Sequence, residues 1–331
     1  MASYGPELEA ALDAVRRSAA LCAAVQREDA ANRVDKSDRS PVTVADLVSQ
    51  AIVAQVLREH FPDDPLVAEE ETDVFDGPGG SVLRDRVHAY LQRDLKGASV
   101  EDLLAWIHHG SRRQDFPDRF WVLDPVDGTK GFLRGEQYAI ALALLENRQV
   151  VLAVLGCPNL PASGVGVTEP GKGVILYAVR GEGVYMFPLD GSTTAVRVRV
   201  SSRTLDQPVR ICQSASHSAS DLATRVAQQM GCACEPVRLD SQAKYALVAR
   251  GDAELYVRVS RKSGYREKIW DHAAGSLVVE EAGGRVTDAT GRPLDFGAGI
   301  HLENNLGIVC SNGLLHDAAL RALERIARGT E

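Results

Sequence analysis

The chain of 331 residues contains no apolar stretch near the length that spans a bilayer, so no membrane-embedded part is expected. It has no long basic run, and its formal net charge is -8. A partner held through a nucleic-acid phosphate backbone is therefore not expected. Small anionic ligands are not excluded, because a bound metal inverts the local sign. Nor is there a paired Cys-x-x-Cys. The six cysteines are scattered, and only Cys232 and Cys234 are close, as C-x-C. That pattern reads as reduced structural thiols rather than a zinc site, with a redox pair as the alternative. Internal repeats and low-complexity tracts are missing, which sets aside solenoids and linkers. The opening MASYGPELEAALDAVRRSAALCAAV lacks the basic start and clean apolar core of a secretory leader, so a cytoplasmic protein is expected.

What is present is a sizeable potential core, since apolar residues make up 45% of the chain. The length suits one large or two medium domains. Leu8, Leu12, Val15, Ala19 and Cys22 recur near helical spacing, and Val44, Leu47, Val48, Ile52 and Val56 do so again, predicting two helices packed as a hairpin against a sheet. PLVAEEE then reads as a short strand running into acids. Residues 72–118 read as a helical insertion, with a capping box at Ser99–Asp102, and are expected to act as a mobile flap. His108 and His109 are adjacent on a helix and so do not share a face, which argues against a ligand pair. From Phe120 the texture turns to strands. YAIALALLE and QVVLAVLGCP flank a turn at Asn147-Arg148, and GVILYAVRGEGVYMF alternates further. The second half alternates strands and helices. The expectation is an N-terminal α+β part over 1–155 with an antiparallel sheet and a C-terminal α/β part over 156–331, unless the sheet is continuous.

FWVLDPVDGTKGF places Asp124 and Asp127 on a tight turn after a buried strand. Glu69 (with Glu70) follows another strand, and Asp271 precedes the helix of WDHAAGSLVVEEAGG. Singly, each has a bland explanation: Asp271 as an N-cap, the AEEE run as solvated charge. Together, carboxylates without basic neighbours repel unless a cation neutralises them, and oxygen ligands suit magnesium, manganese or calcium. The Val126 carbonyl would add a further oxygen. Two cations could then activate a phosphate ester toward water. Thr129 could relay a proton from that water if a carboxylate sits behind it, and Asp46 is the candidate, although local evidence alone favours a helix-dipole or capping role for Asp46. DPVDGT also superficially matches the D-x-D-G-T loop of haloacid-dehalogenase-like phosphatases. There the acids stand two apart; here they stand three apart with a proline between, which argues against that class.

DPVDGTKGF, followed by WDHAAGSLVVEEAGG and preceded by AEEE and VADLVSQ, resembles the paired signatures of the inositol monophosphatase superfamily. Within it, KSDRSPVTVADLVSQ, LDSQAKYALVA and YREKIWDHAAG are similar to the 3′(2′),5′-bisphosphate nucleotidase branch. The resemblance implies a layered αβαβα sandwich and hydrolysis of the 3′-phosphate of adenosine 3′,5′-bisphosphate to AMP. It extends to 3′-phosphoadenylyl sulfate and the 2′,5′-bisphosphate. Two or three magnesium ions are implied, with manganese as substitute and lithium as inhibitor, in a monomer acting on a small molecule. The implied metal ligands are Glu69, Asp124, the Val126 carbonyl, Asp127 and Asp271, with Asp46 and Thr129 as the water-activating pair. Gly128, Thr129, His217, Ser241, Lys244, Arg258 and Asp271 would contact substrate. Inositol-phosphate hydrolysis at the same metal site is the alternative, and a non-catalytic nucleotide or metal sensor a distant one. The chain departs from the pattern at Ala68, where glycine is expected, and at Val126, where isoleucine is. QSASHSASD is also poorer in histidine than the branch.

Overall fold

The structure, a computed structural model, describes residues 4–29, 33–35, 41–110, 116–164, 172–191, 194–216, 221–260 and 264–329. The first part runs α1 (Gly5–Asp29), a hairpin of β1 (Arg33–Asp35) and β2 (Pro41–Thr43), α2 (Val44–His60) and β3 (Leu66–Ala68). A 3₁₀ turn at Thr72–Phe75, α3 (Gly80–Leu91) and α4 (Val100–His109) follow. Next come β4 (Arg119–Asp127), α5 (Thr129–Leu133), β5 (Ala139–Glu146), β6 (Gln149–Cys157), β7 (Val174–Val179), β8 (Gly183–Pro188) and β9 (Val196–Arg197). The second part runs β10 (Val209–Gln213), α6 (Leu222–Met230), β11 (Cys234–Arg238), α7 (Ala243–Ala249) and β12 (Leu255–Arg258). It closes with α8 (Ala273–Glu281), β13 (Arg285–Thr287), β14 (Ile308–Ser311) and α9 (His316–Arg328).

Strands β3 to β9 form one seven-stranded sheet in chain order, antiparallel except for the β3–β4 pair. The other large sheet has five strands in the order β11-β10-β12-β14-β13 and is mixed. Alternation along the strands sorts the apolar residues into three cores. Trp121, Leu123, Leu142 and Leu144 face α1 to α4, meeting Val15, Cys22, Ile52, Leu57, Leu91 and Leu103. Phe120, Val122, Ala141 and Leu155 face the opposite way, onto α7 and α8 and the inner side of the second sheet. Ile211, Leu255 and Val309 then pack outward on α6 and α9. The layers are therefore αβαβα. Helix α8 lies between the two sheets, which is why AAGSLVVEE is apolar nearly all round; α9, with one wet face, is strongly amphipathic.

Two expectations change. The division expected at residue 155 falls inside the first sheet, because the alternation of GVILYAVRGEGVYMF continues it through β7 and β8 as an antiparallel hairpin. The sheets part between Arg197 and Val209. The segment 72–118 is also no flap in its helices. Leu83, Val87, Leu91, Leu103 and Ile107 are buried in the first core beside α2, and the Ser99–Asp102 capping box forms as expected.

Candidate active site

Residues i and i+3 of a regular strand point to opposite faces. Asp124 and Asp127 nevertheless point the same way, because β4 is bulged between them. Asp124 pairs with Ala141 and Asp127 with Ala139, so two residues of β4 oppose the single Ile140. Ala139 and Ala141 both belong to the core facing α8, whereas Val126 is turned into the opposite core with Trp121 and Leu123. Pro125 sits in the bulge, where a missing N–H costs no ladder bond. The surplus residue supplies the Val126 carbonyl, which accepts the Thr129 hydroxyl at 3.3 Å.

The turn after Asp127 meets the second part of the chain. Gly128 has φ +88°, and a Cβ there would stand 2.9 Å from Ser241 Cβ. Ser241 is itself left-handed at φ +71°. With this close approach, Asp127 Oδ2 accepts the Gln242 backbone N–H at 2.5 Å. Gln242 then reaches onward, donating to the Trp270 carbonyl at 2.8 Å and accepting from Gly275 N at 3.0 Å at the start of α8. One residue thus ties the DPVDG turn to the helix beside Asp271. Ser241 Oγ accepts from Ala243 N at 3.2 Å, and its carbonyl accepts the buried Lys244 ammonium at 2.7 Å. Lys244 also lies 5.2 Å from the Tyr256 ring centroid.

These residues line one cleft of about 910 Å³. Glu69, Asp124, Asp127 and Asp271 form its acidic side; Lys244, Tyr256, Arg258 and Tyr265 stand on its other walls, with Leu222 and Ala223 supplying apolar surface. Carboxylate oxygens of Asp124, Asp127 and Asp271 all lie within 4.8 Å of one another. Burial, then the charges of Glu69, Asp127, Asp271 and Asp46, push the Asp124 carboxyl far above the usual carboxylate range. Burial raises Asp127 too, against the pull of Lys244 and Arg258, and pushes Asp271 up to about 7. Lys244 is lowered by burial, with Asp127 opposing. The Asp124 Oδ1 atom is buried and has no hydrogen-bond partner among the described residues. An unsatisfied buried oxygen among crowded acids fits a hard divalent cation such as magnesium or manganese, and the all-oxygen donors fit zinc poorly.

The remaining expected residues fall as follows. Asp271 does not cap α8; the helix starts at Ala273 with His272 at the cap position, so its carboxylate is left to face the cleft. Asp46 completes the capping box of α2, whose N-cap is Thr43, accepting from Thr43 N at 2.8 Å and Thr43 Oγ1 at 2.5 Å, while its charge also bears on Asp124. Glu69 lines the cleft, whereas Glu70 is buried with its backbone bonded at both ends to the Gln50 amide. His217 lies outside the described residues. All six cysteines are free thiols, with Cys22, Cys157, Cys212 and Cys310 buried.

Several cleft residues were not foreseen. Asp240 gathers Ser214 Oγ, Ser216 N and Arg134 Nη2 at 2.7, 3.1 and 2.5 Å. Burial works against its charge, but these donors hold it well below the usual carboxylate range. Arg258 is gripped by Glu267 (2.9 Å) and Tyr265 (3.0 Å) and lies 3.5 Å from Asp271. The signal for Glu267 was present as the acid of YREKIWDHAAG, four residues before Asp271, yet nothing local shows that it turns inward.

The inositol monophosphatase family model matches residues 5–328, and the chain belongs to that family. Among curated relatives, a 3′(2′),5′-bisphosphate nucleotidase of Schizosaccharomyces pombe is 40% identical over 327 residues, covering 93% of this chain and 92% of its own. One of the same description from Oryza sativa is 42% identical and covers 97% and 94%. A 3′,5′-bisphosphate nucleotidase 2 of Arabidopsis thaliana is also 42% identical, covering 97% and 96%. The solved structure of a Thermotoga maritima IMPase superposes with a TM-score of 0.66 at 22% identity, covering 98% of this chain and 99% of its own, and shares the fold.

Proposed function

We propose that this chain is a magnesium-dependent phosphatase that removes the 3′-phosphate from adenosine 3′,5′-bisphosphate, releasing AMP. The observation that carries the reading is the pairing of two unlike walls. Carboxylate oxygens within 4.8 Å of one another face a cleft that also holds Lys244 and Arg258. The acids suit cations at the scissile phosphate, and the basic wall suits a substrate with a second anionic group. The names carried by relatives near 40% identity support the same choice.

Glu69, Asp124, the Val126 carbonyl, Asp127 and Asp271 are the proposed metal ligands. When bound there, magnesium supplies Lewis acidity toward the phosphoryl oxygens and neutralises the crowded acids. Gly128 opens α5 in a left-handed conformation, and Gly128, Thr129 and Lys130 line the cleft, so the first-turn amides of α5 are the proposed rest for a phosphate. Thr129 and Asp46 are the proposed pair that orient the attacking water and accept its proton. Lys244, Arg258 and Ser241 are the proposed contacts for the nucleotide part.

The test is a phosphate-release panel with magnesium across adenosine 3′,5′-bisphosphate, 3′-phosphoadenylyl sulfate, adenosine 2′,5′-bisphosphate and two inositol phosphates. Fastest release from the 3′,5′-bisphosphate is expected, with activity retained in manganese and reduced by millimolar lithium. Preference for an inositol phosphate would move the substrate assignment, and no release from any would leave a sensor.

A further inference from the structure

Behind Arg258 lies a chain of buried polar groups that metal chemistry does not use. Arg258 Nε meets Glu267 Oε2 at 2.9 Å, and the same oxygen lies 3.2 Å from His272 Nε2. His272 Nδ1 lies 2.8 Å from the Tyr245 hydroxyl. Glu267, His272 and Tyr245 are 4%, 0% and 1% exposed, too buried for water to complete these bonds. A carboxylate only accepts, so His272 Nε2–H donates to Glu267, and with a neutral imidazole the Tyr245 hydroxyl donates to His272 Nδ1. Burial disfavours the Glu267 carboxylate, yet His272 and Arg258 bring it below its ordinary value.

The donors of Glu267, Asp271 and His272 also lie within 4.8 Å of one another, which raises the question of another cation site. Glu267 Oε1 is buried without a hydrogen-bond partner among the described residues, but the groups around it argue against a cation. Both His272 nitrogens are engaged, and the Arg258 guanidinium already bridges Glu267 and Asp271. A simpler role fits better. An arginine side chain has many rotamers, and ordering it only when a ligand arrives weakens binding. Here the guanidinium is ordered beforehand by a carboxylate that is itself held from behind.

We propose that Glu267, held in place by His272 and Tyr245, is a positioning residue that presets Arg258 for the part of the substrate away from the reacting phosphate. The inference rests on the functional reading above. It sets substrate affinity rather than the chemical step, and a purely structural role would not separate the two.

Steady-state kinetics of Glu267→Gln and Tyr245→Phe, alone and combined with Arg258→Ala, test it. Glu267→Gln is expected to raise KM for adenosine 3′,5′-bisphosphate about 10- to 100-fold with kcat changed less than about threefold, as for a lost charged hydrogen bond. Tyr245→Phe, which removes only the far hydroxyl, is expected to raise KM about threefold. Neither should add to the effect of Arg258→Ala, because both act through that side chain. Unchanged KM in the single variants, or the same increment with Arg258 already removed, overturns the proposal. If Glu267→Gln does not fold, the Tyr245→Phe cycle decides alone. If the parent hydrolyses an inositol phosphate instead, the functional reading fails separately, and the cycle is read on that substrate by the same criteria.

Discussion

The two walls of the cleft are built by different means. The acidic wall hangs on the seven-stranded sheet: Asp124 and Asp127 come from one bulged strand, and Glu69 follows the strand beside it. The basic wall is assembled from pieces far apart in sequence, with Lys244 on α7, Arg258 on β12 and Glu267 in a loop. Asp271 stands where they meet. The contrast separates what must be invariant in geometry, the cation site, from what selects the molecule that is cut. Cations need oxygens placed to a few tenths of an ångström, and a strand held on both sides gives that rigidity. Recognition tolerates loops and long side chains, provided they are braced.

The comparison breaks most sharply at Asp127, which belongs to the acid cluster and also bonds the Gln242 amide. Asp127→Asn is expected to lower kcat about 1000-fold or more, comparable with losing a main electrostatic group, and to weaken magnesium binding measured by calorimetry. An Asp127→Asn enzyme within tenfold of the parent would remove it from the cation site.

A smaller effect is expected where the walls touch. Gly128→Ala demands a left-handed alanine and a Cβ 2.9 Å from Ser241, so a loss of about 1–3 kcal/mol is expected in denaturant unfolding. Gly181 is also left-handed, at φ +83°, but has nothing within 4 Å of its would-be Cβ. Gly181→Ala is expected to cost only the backbone strain and leave activity alone, while Gly128→Ala lowers both stability and turnover. Equal stability and activity losses would show that contact at the seam is immaterial.

The smallest effect is in pH. Asp271 is carried from 3.8 to about 7 by burial, so between those values the folded chain keeps a proton that the unfolded chain gives up. Its contribution is fully present below pH 3.8 and is lost as pH rises through about 7. Asp124 and Asp127, raised by burial, act in the same direction. Chelator-treated protein is therefore expected to melt at a lower temperature at about pH 8 than at about pH 5.5, and excess magnesium to shrink the difference. An identical pH dependence with and without the metal would sever the acids from cation binding.

Much of the acidic wall was legible in the sequence, because its signals are local: an apolar strand, two acids, a glycine, then a helix start. The helices α1 and α2 were legible for the same reason, their apolar periods being long. The bulge was not, since a three-residue spacing taken on a regular ladder sends the two acids apart and only pairing with Ala139 and Ala141 resets them. The reach of the first sheet to Arg197 was missed because antiparallel alternation looks alike in either half. The Tyr245–His272–Glu267 chain joins residues up to 27 apart by side-chain direction inside a core, which no local pattern records. Ser241 carries no mark of its left-handed backbone, as a glycine would have.

Counted in codons, the bulge of β4 is a single triplet more than a flat strand needs. Removing Val126 would leave Asp124 and Asp127 two apart and on one face, with Pro125, which has no N–H to donate, alone opposite Ile140. The only proposed ligand so erased is a peptide oxygen, lost together with the buried Val126 side chain. The proposed ligands written as side chains and the proposed one written only in the path of the main chain are thus separable by one in-frame deletion. Inheritance of this centre depends on chain length at that point as much as on the identity of any acid.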